Sequence, residues 1–162
     1  MHDPILTVGE VIPSFQLQAV NRNMAISPWH YKQRYNLVIF LFHHATCHAC
    51  CELLLDLSQH YQTYRALDTE ILAIATDQPA NGIEPLQGFV DQHTIPFPIL
   101  WDQQGQVSGI YLQGKPNSAL VGVFICDRFG ELYLRSVAAE ANELPNEPEI
   151  RSWAEFIDMR CT

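Results

Sequence analysis

Two apolar runs predict the centre of the fold. Residues 36–42 (NLVIFLF) and 70–76 (EILAIAT) are almost continuously hydrophobic and contain β-branched residues, as is typical of parallel strands covered on both faces. Between them, residues 47–66 repeat apolar side chains at steps of three and four, which predicts one amphipathic helix. Its buried stripe comprises Cys47, Cys50, Leu54, Leu57, Tyr61 and Tyr64. Strand, helix and strand in this order predict a right-handed βαβ unit.

Weaker patterns flank this unit. Residues 15–20 (FQLQAV) predict a short edge strand, and residues 84–93 predict a helix with Leu86, Phe89 and Val90 on one face. Residues 96–102 (PFPILWD) predict a short strand, which its two prolines keep at an edge or at a strand start.

The last part of the chain predicts a hairpin and a helix. Residues 119–126 and 131–138 flank the turn sequence DRFG, as in an antiparallel hairpin. Asn146 is a suitable N-cap for a helix over residues 147–160. The buried stripe of that helix is predicted to be Ile150, Trp153, Ala154 and Ile157. Together these elements predict an α/β fold, with a central mixed sheet of four or five strands, helices on both faces and a C-terminal hairpin plus helix.

Composition restricts the possible classes of protein. The 162 residues fit a single domain spanning 1–162, and 48% hydrophobic against 17% charged residues exclude an intrinsically disordered chain. A formal net charge of −9 has the wrong sign for binding the phosphate backbone of a nucleic acid. The sequence shows neither a signal-peptide pattern nor an apolar run of about 18–20 residues, so we expect a cytoplasmic protein without a membrane partner.

The cysteines are odd in number and unevenly placed. They are Cys47, Cys50, Cys51, Cys126 and Cys161. Such clustering is unlike the spread disulfides of a secreted scaffold and favours catalytic or metal-binding thiols in a reducing compartment. Cys126, inside an apolar strand, is expected to be a small buried hydrophobic residue.

The segment 40–52 (FLFHHATCHACCE) concentrates the candidate chemistry. Cys47 stands where the apolar strand leads into the helix, and a helix N-terminus favours the thiolate form of a cysteine. Cys47 is therefore the candidate nucleophile. Cys50 follows one helical turn later and is the candidate resolving thiol. Cys51, rotated by about 100° from Cys50, is given no primary role.

Three histidines surround the two cysteines. A cation at His48 would stabilise a Cys47 thiolate, and His43 and His44 at the strand end would add to that field. The same segment also offers six histidine and cysteine ligands to a metal such as zinc. No second CxxC or HxxxH motif supplies the distant ligands that structural zinc sites commonly use, so we expect no metal and no other cofactor. A redox-inert or zinc-holding module remains an alternative.

A succession of motifs resembles one known superfamily. The segment NLVIFLFHHATCHACCELLLDLSQHY resembles the strand–CxxC–helix segment of thioredoxin-like redoxins in the alkyl hydroperoxide reductase/thiol-specific antioxidant superfamily. VGEVIPSFQLQAV, ILAIATD, FPILWDQQGQVSGIY and VFICDRFGEL resemble further peroxiredoxin motifs in a consistent order over about residues 8–137. The resemblance implies a thioredoxin-like fold and a dithiol oxidoreductase or peroxidase, with Cys47 and Cys50 as the residues that carry over.

The sequence departs from the family patterns near the motif. Thr46 replaces the tryptophan that precedes the first cysteine in thioredoxin-type members. When Cys50 is aligned with the peroxide-attacking cysteine of the peroxiredoxin pattern, His43 and Cys47 stand where that pattern has proline and threonine. Val121–Gly122 stands where peroxiredoxins have an arginine. The first hypothesis is therefore a thiol–disulfide oxidoreductase whose dithiol is tuned by Thr46 and the three neighbouring histidines. The alternative is a hydroperoxide-reducing peroxidase with Cys47 or Cys50 as the peroxide-attacking thiol. Either needs a disulfide-containing or hydroperoxide substrate and a cellular thiol reductant, while the oligomeric state is not predicted.

Overall fold

The computed structural model describes residues 6–43, 47–76, 83–112 and 120–160. The strands are β1 (Leu17–Gln18), β2 (Ala25–Ile26), β3 (Asn36–Phe42), β4 (Thr69–Ala75), β5 (Ile99–Trp101), β6 (Val121–Cys126) and β7 (Leu132–Ala138). The α-helices are α1 (His48–Gln59), α2 (Tyr61–Ala66), α3 (Glu84–Gln92), α4 (Gln106–Tyr111) and α5 (Glu147–Arg160), and short 3-10 helices cover Pro28–His30 and Ala141–Glu143. Among the described residues, none of these helices combines the length and the apolar character that a membrane span requires.

The main sheet has five strands in the order β5-β4-β3-β6-β7. β3 pairs in parallel with β4, and β4 in parallel with β5, while β6 and β7 run antiparallel to their neighbours. Every residue of β3 and of β4 is buried, because helices and loops cover both faces of a sheet centre. The predicted mixed sheet, its central strands and its fold class are confirmed.

Alternation along β3 divides the core between the two faces of the sheet. Val38, Phe40 and Phe42 point to one face, where they pack with side chains of α1, α2, α3 and α5. Leu37, Ile39 and Leu41 point to the other face, where α4 and the N-terminal segment cover them. This period of two is what a strand buried on both faces requires.

The hairpin and the last helix form as predicted. β6 and β7 pair antiparallel, and the Asp127 carboxylate accepts hydrogen bonds from the N–H groups of Phe129 (2.9 Å) and Glu131 (3.0 Å) in the turn. Gly130 adopts a φ of +85° there, a conformation that glycine tolerates without strain. At the start of α5, Asn146 Oδ1 accepts from Glu149 N–H (3.0 Å), and Glu149 Oε1 accepts from Asn146 N–H (3.2 Å). This reciprocal pair is the capping box that fixes the helix start.

Two predictions need correction, and one helix was not predicted. The single helix predicted over residues 47–66 is two helices, with a break at His60, whose ψ of 12° departs from helical geometry. The strand predicted over 15–20 is shorter: β1 pairs with β2 in a separate two-stranded sheet, and only Ala19 forms an isolated antiparallel bridge, to Leu100 in the edge strand β5. α4 was not predicted, because only Val107 and Tyr111 of its six residues are buried, too few to show a helical period.

Candidate active site

The central strand β3 ends where the cysteine segment begins. The Phe42 carbonyl oxygen accepts two hydrogen bonds from Thr76, one from the backbone N–H at 2.9 Å and one from the hydroxyl at 3.1 Å. Thr76 directly follows β4, so the ends of two parallel strands are tied together at this edge. Sequence reasoning did not select Thr76; the available signal was a hydroxyl residue immediately after an apolar strand. His44 and Thr46, predicted to tune the site, lie outside the described residues.

Cys47 is the N-cap of α1. Its backbone is extended, with φ −74° and ψ 110°, and its sulfur accepts a hydrogen bond from the Cys50 N–H at 3.3 Å. An N-cap side chain ordinarily satisfies one of the unpaired N–H groups at a helix start. Here a thiol performs that function, on a residue that is half-buried. The predicted position of Cys47 at the helix start is thus the observed one.

Cys50 lies one turn further along α1 and has no solvent exposure. Burial, and after it the neighbouring Cys47 thiol, raises the pKa of the Cys50 thiol to about 12, while the backbone of His43 acts in the opposite direction. Cys50 is consequently a protonated thiol near neutral pH. The pair is asymmetric, since one sulfur is reachable from solvent and the other is enclosed.

The third clustered cysteine is half-buried at the edge of the same core. The Cys51 N–H donates to the Cys47 carbonyl at 3.0 Å, so Cys51 lies one full turn above the N-cap. Burial and the Cys47 sulfur both raise the pKa of the Cys51 thiol. Cys126 is 1% exposed in the other half of the core, as predicted for a small hydrophobic residue.

Two of the three histidines predicted to tune the site, His43 and His48, are described, and they have different partners. His48 Nε2 is 2.9 Å from Glu52 Oε1, and the side chains of this pair are 88% and 63% exposed. The ring of His43 has Nε2 3.3 Å from the Ala139 carbonyl oxygen. Tuning of the dithiol by either histidine stays a prediction. Among the described residues, no group of three or more histidine, cysteine, aspartate or glutamate side chains could hold a metal ion.

The position where peroxiredoxins have an arginine is part of the core. Leu41 pairs with Gly122 across β3 and β6, so Val121 lies beside Phe42 at the end of β3. Val121 is fully buried on the same face of the sheet as α1. Arg135 on β7 does not replace the missing arginine, because it pairs with Phe124, whose side chain lies in the core of the opposite face.

The fold and the cysteine pair together define the class of thioredoxin-fold redox proteins. The sheet is mixed with helices on both faces, and the pair lies at the start of the helix that follows the central strand.

Comparisons with known proteins agree with this class. The chain is 25% identical over 152 residues to a peroxiredoxin of Nanoarchaeum equitans, covering 90% of this chain and 67% of that protein. It is 26% identical over 151 residues to the thiol-disulfide oxidoreductase ResA of Oceanobacillus iheyensis, covering 85% and 77% of the two chains. The solved structure of Mycobacterium tuberculosis AhpC matches with a TM-score of 0.77 at 20% identity, covering 94% of this chain and 93% of that one.

The AhpC/TSA family model matches residues 8–135, which is most of the chain. This protein therefore belongs to the AhpC/TSA family. The family and the thioredoxin-like fold inferred from the sequence motifs are confirmed, as is the expectation of an oxidoreductase at the level of the class.

Proposed function

We propose that this protein is a thiol–disulfide oxidoreductase in which Cys47 is the attacking thiol and Cys50 the resolving thiol. The observation that carries the proposal is the asymmetry of the pair. The Cys47 sulfur is half-buried and accepts the Cys50 N–H at 3.3 Å, whereas Cys50 is fully buried one turn away. A substrate disulfide can reach the first sulfur, and only an intramolecular partner can use the second.

The reaction balances as two successive exchanges. The Cys47 thiolate attacks one sulfur of a substrate disulfide and expels the other as a thiolate, which forms a mixed disulfide. The Cys50 sulfur then attacks Cys47 Sγ, and the second half of the substrate leaves and takes up a proton. The protein is left with a Cys47–Cys50 disulfide, and a cellular dithiol reductant would return both thiols. No metal or organic cofactor enters these steps.

The test is reduction of insulin disulfides with dithiothreitol as the terminal electron donor. We expect the wild-type protein to accelerate the reaction and Cys47→Ser to lose the acceleration, because the attacking sulfur is gone. Cys126→Ala is the matched control, since it removes a buried thiol on the other face of the sheet and is expected to keep the activity. Full activity of Cys47→Ser, with the control folded and active, would refute the proposal.

A second candidate, a hydroperoxide-reducing peroxidase, is favoured by membership of the AhpC/TSA family. Buried Val121 at the end of β3 weighs against it, because that position offers no cation to a peroxide or to a sulfur anion. Stopped-flow mixing with hydrogen peroxide separates the two candidates. A rate constant for peroxide consumption no faster than that of free cysteine excludes the peroxidase with either Cys47 or Cys50 as the attacking thiol, and a much faster one supports it over disulfide exchange.

A further inference from the structure

The three clustered cysteines are arranged around Cys47 rather than around Cys50. Successive residues of an α-helix are about 100° apart, so Cys50 lies about 60° to one side of Cys47 and Cys51 about 40° to the other side. The hydrogen bond from Cys51 N–H to the Cys47 carbonyl, at 3.0 Å, shows that helical geometry already holds over this first turn. Around the helix axis, Cys51 is thus about 100° from Cys50 but only about 40° from Cys47.

The distances along the first turn suit either pairing. Helix geometry separates the Cα atoms of Cys47 and Cys50 by about 5 Å and those of Cys47 and Cys51 by about 6 Å. Both values fall inside the range of about 4.4–6.8 Å that disulfides span. Cys47 is an N-cap with extended backbone angles, so rotation about its own bonds can direct the sulfur to either neighbour.

Exposure distinguishes the two neighbours of Cys47. Cys50 is fully enclosed, whereas Cys47 and Cys51 are both half-buried at the edge of the same core. Burial, and after it the Cys47 sulfur, raises the pKa of the Cys51 thiol. A thiol in this place can reach a mixed disulfide on Cys47 from the solvent side.

We propose that Cys51 is a second resolving thiol of the same site, able to release a substrate bound to Cys47 by forming a Cys47–Cys51 disulfide. This inference rests on the proposed function of Cys47. In the step, Cys51 Sγ attacks Cys47 Sγ, the bond between Cys47 and the substrate sulfur breaks, and the substrate leaves as a thiolate that takes up a proton. The two electrons come from the Cys47 and Cys51 thiols, as they do in the Cys47–Cys50 reaction.

A further consequence is that the disulfide can migrate. Attack of Cys51 Sγ on Cys47 Sγ of a Cys47–Cys50 disulfide yields a Cys47–Cys51 disulfide and a protonated Cys50, with no net change in oxidation state. The oxidised pair then lies between two half-exposed residues instead of ending at a buried one. An external thiol reductant has easier access to that form.

The experiment traps the mixed disulfide with one equivalent of 5,5′-dithiobis(2-nitrobenzoate) per protein. All variants carry Cys126→Ala and Cys161→Ala, so that only the clustered thiols remain. In the variant with Cys50→Ala, we expect the Cys47–thionitrobenzoate adduct to decay by a first-order reaction, releasing a second thionitrobenzoate. Mass spectrometry should then find a Cys47–Cys51 disulfide. Alanine at position 50 keeps the buried position apolar, and Cys50→Ser serves as a second variant if the first is poorly folded.

The matched control combines Cys50→Ala with Cys51→Ala. Its adduct should persist at least about tenfold longer, because no thiol is held next to Cys47. Cys47→Ala with Cys50→Ala measures how fast Cys51 alone reacts with the reagent. Equal adduct lifetimes with and without Cys51 would overturn the inference. That outcome would leave the proposed function intact as long as the protein with Cys50 still resolves its adduct, whereas absence of any adduct on Cys47 would instead count against the proposed function.

Discussion

At the scale of single residues, burial gives two identical side chains different environments. Cys47 caps α1 with its sulfur, and Cys50 is enclosed below it. Burial is the largest cause that raises the pKa of the Cys50 thiol to about 12, and it persists when Cys47 carries a substrate. In the proposed reaction, the resolving step therefore depends on a small thiolate fraction of Cys50 near neutral pH.

This leads to a prediction about pH. In a Cys51→Ala variant, where only Cys50 resolves, the decay of the Cys47–thionitrobenzoate adduct should accelerate about tenfold for each pH unit between about pH 7 and 10. The sign follows from the raised pKa, because at any pH below it each unit by which the pH rises multiplies the thiolate fraction by about ten. Stopped-flow absorbance measures the decay, and Cys50→Ala with Cys51→Ala gives the background. A plateau near about pH 8.5, the value of an ordinary cysteine, would contradict the prediction.

Much of this site was accessible from the residues alone. The steps of three and four along residues 47–66 predicted that Cys50 faces the core, and burial confirms it. The N-cap role of Cys47 followed from its place between an apolar strand and an apolar stripe. The angle between Cys50 and Cys51 does not reveal the neighbour of Cys51, because its backbone N–H bonds to Cys47, the residue four positions earlier. The double hydrogen bond of Thr76 to Phe42 depends on strand pairing, which no local pattern reveals.

At the scale of secondary-structure elements, a buried carboxylate joins three helices. Glu147 at the start of α5 is 3% exposed, and its Oε2 accepts the Tyr64 hydroxyl of α2 at 2.9 Å. Its Oε1 lies 3.1 Å from Arg151 NH2 and 3.3 Å from His60 Nδ1, at the break between α1 and α2. His60 Nδ1 is also 3.0 Å from the Asp56 carbonyl of α1. The network holds α1, and with it the dithiol, against α5.

The network should show energetic coupling. Tyr64→Phe removes a hydroxyl donor from a buried carboxylate, so we expect the free energy of unfolding to fall by about 1–3 kcal/mol. Glu147→Gln should also destabilise the protein, and the double variant should lose less than the sum of the two single losses, because the two residues share one hydrogen bond. Urea unfolding of the four proteins measures the cycle. Strict additivity would show that the Tyr64–Glu147 contact contributes nothing of its own.

The elements also show where sequence patterns stop being informative. β3 and α5 have the predicted bounds, because each has a local sequence signal. The signal of β3 is an uninterrupted apolar run, and that of α5 is the capping box of Asn146 and Glu149. The break at His60 lies within the predicted apolar stripe, whose members Leu57 before the break and Tyr64 after it are both buried. That break coincides with contacts to Glu147, more than eighty positions away in the sequence. The local period of apolar residues therefore predicts one long helix, whereas the structure has two helices and the long-range contact of His60 with Glu147 lies at the break between them.

At the scale of the whole molecule, charge should influence which disulfides arrive at the site. The formal net charge is −9, and next to the dithiol the exposed Glu52 pairs with His48. A negative potential attracts cationic substrates and repels anionic ones over distances comparable to the Debye length. Neither the fold nor the family specifies this property, because it belongs to the surface composition of this chain.

We accordingly predict a salt-dependent preference for cationic disulfides. Cystamine and 3,3′-dithiodipropionate differ mainly in the sign of the charge on their end groups. To correct for their intrinsic reactivity, each rate constant with Cys47 is divided by the rate constant of the same disulfide with dithiothreitol. The normalised ratio should favour cystamine by severalfold at about 0.01 M salt, and it should approach one near 1 M, where the Debye length is about 3 Å. Glu52→Gln should lower the low-salt ratio, because it removes the carboxylate paired with His48 one turn from Cys47. A ratio unaffected by salt would mean that the charge of the molecule does not reach the attacking sulfur, and that contacts within the site alone select the substrate.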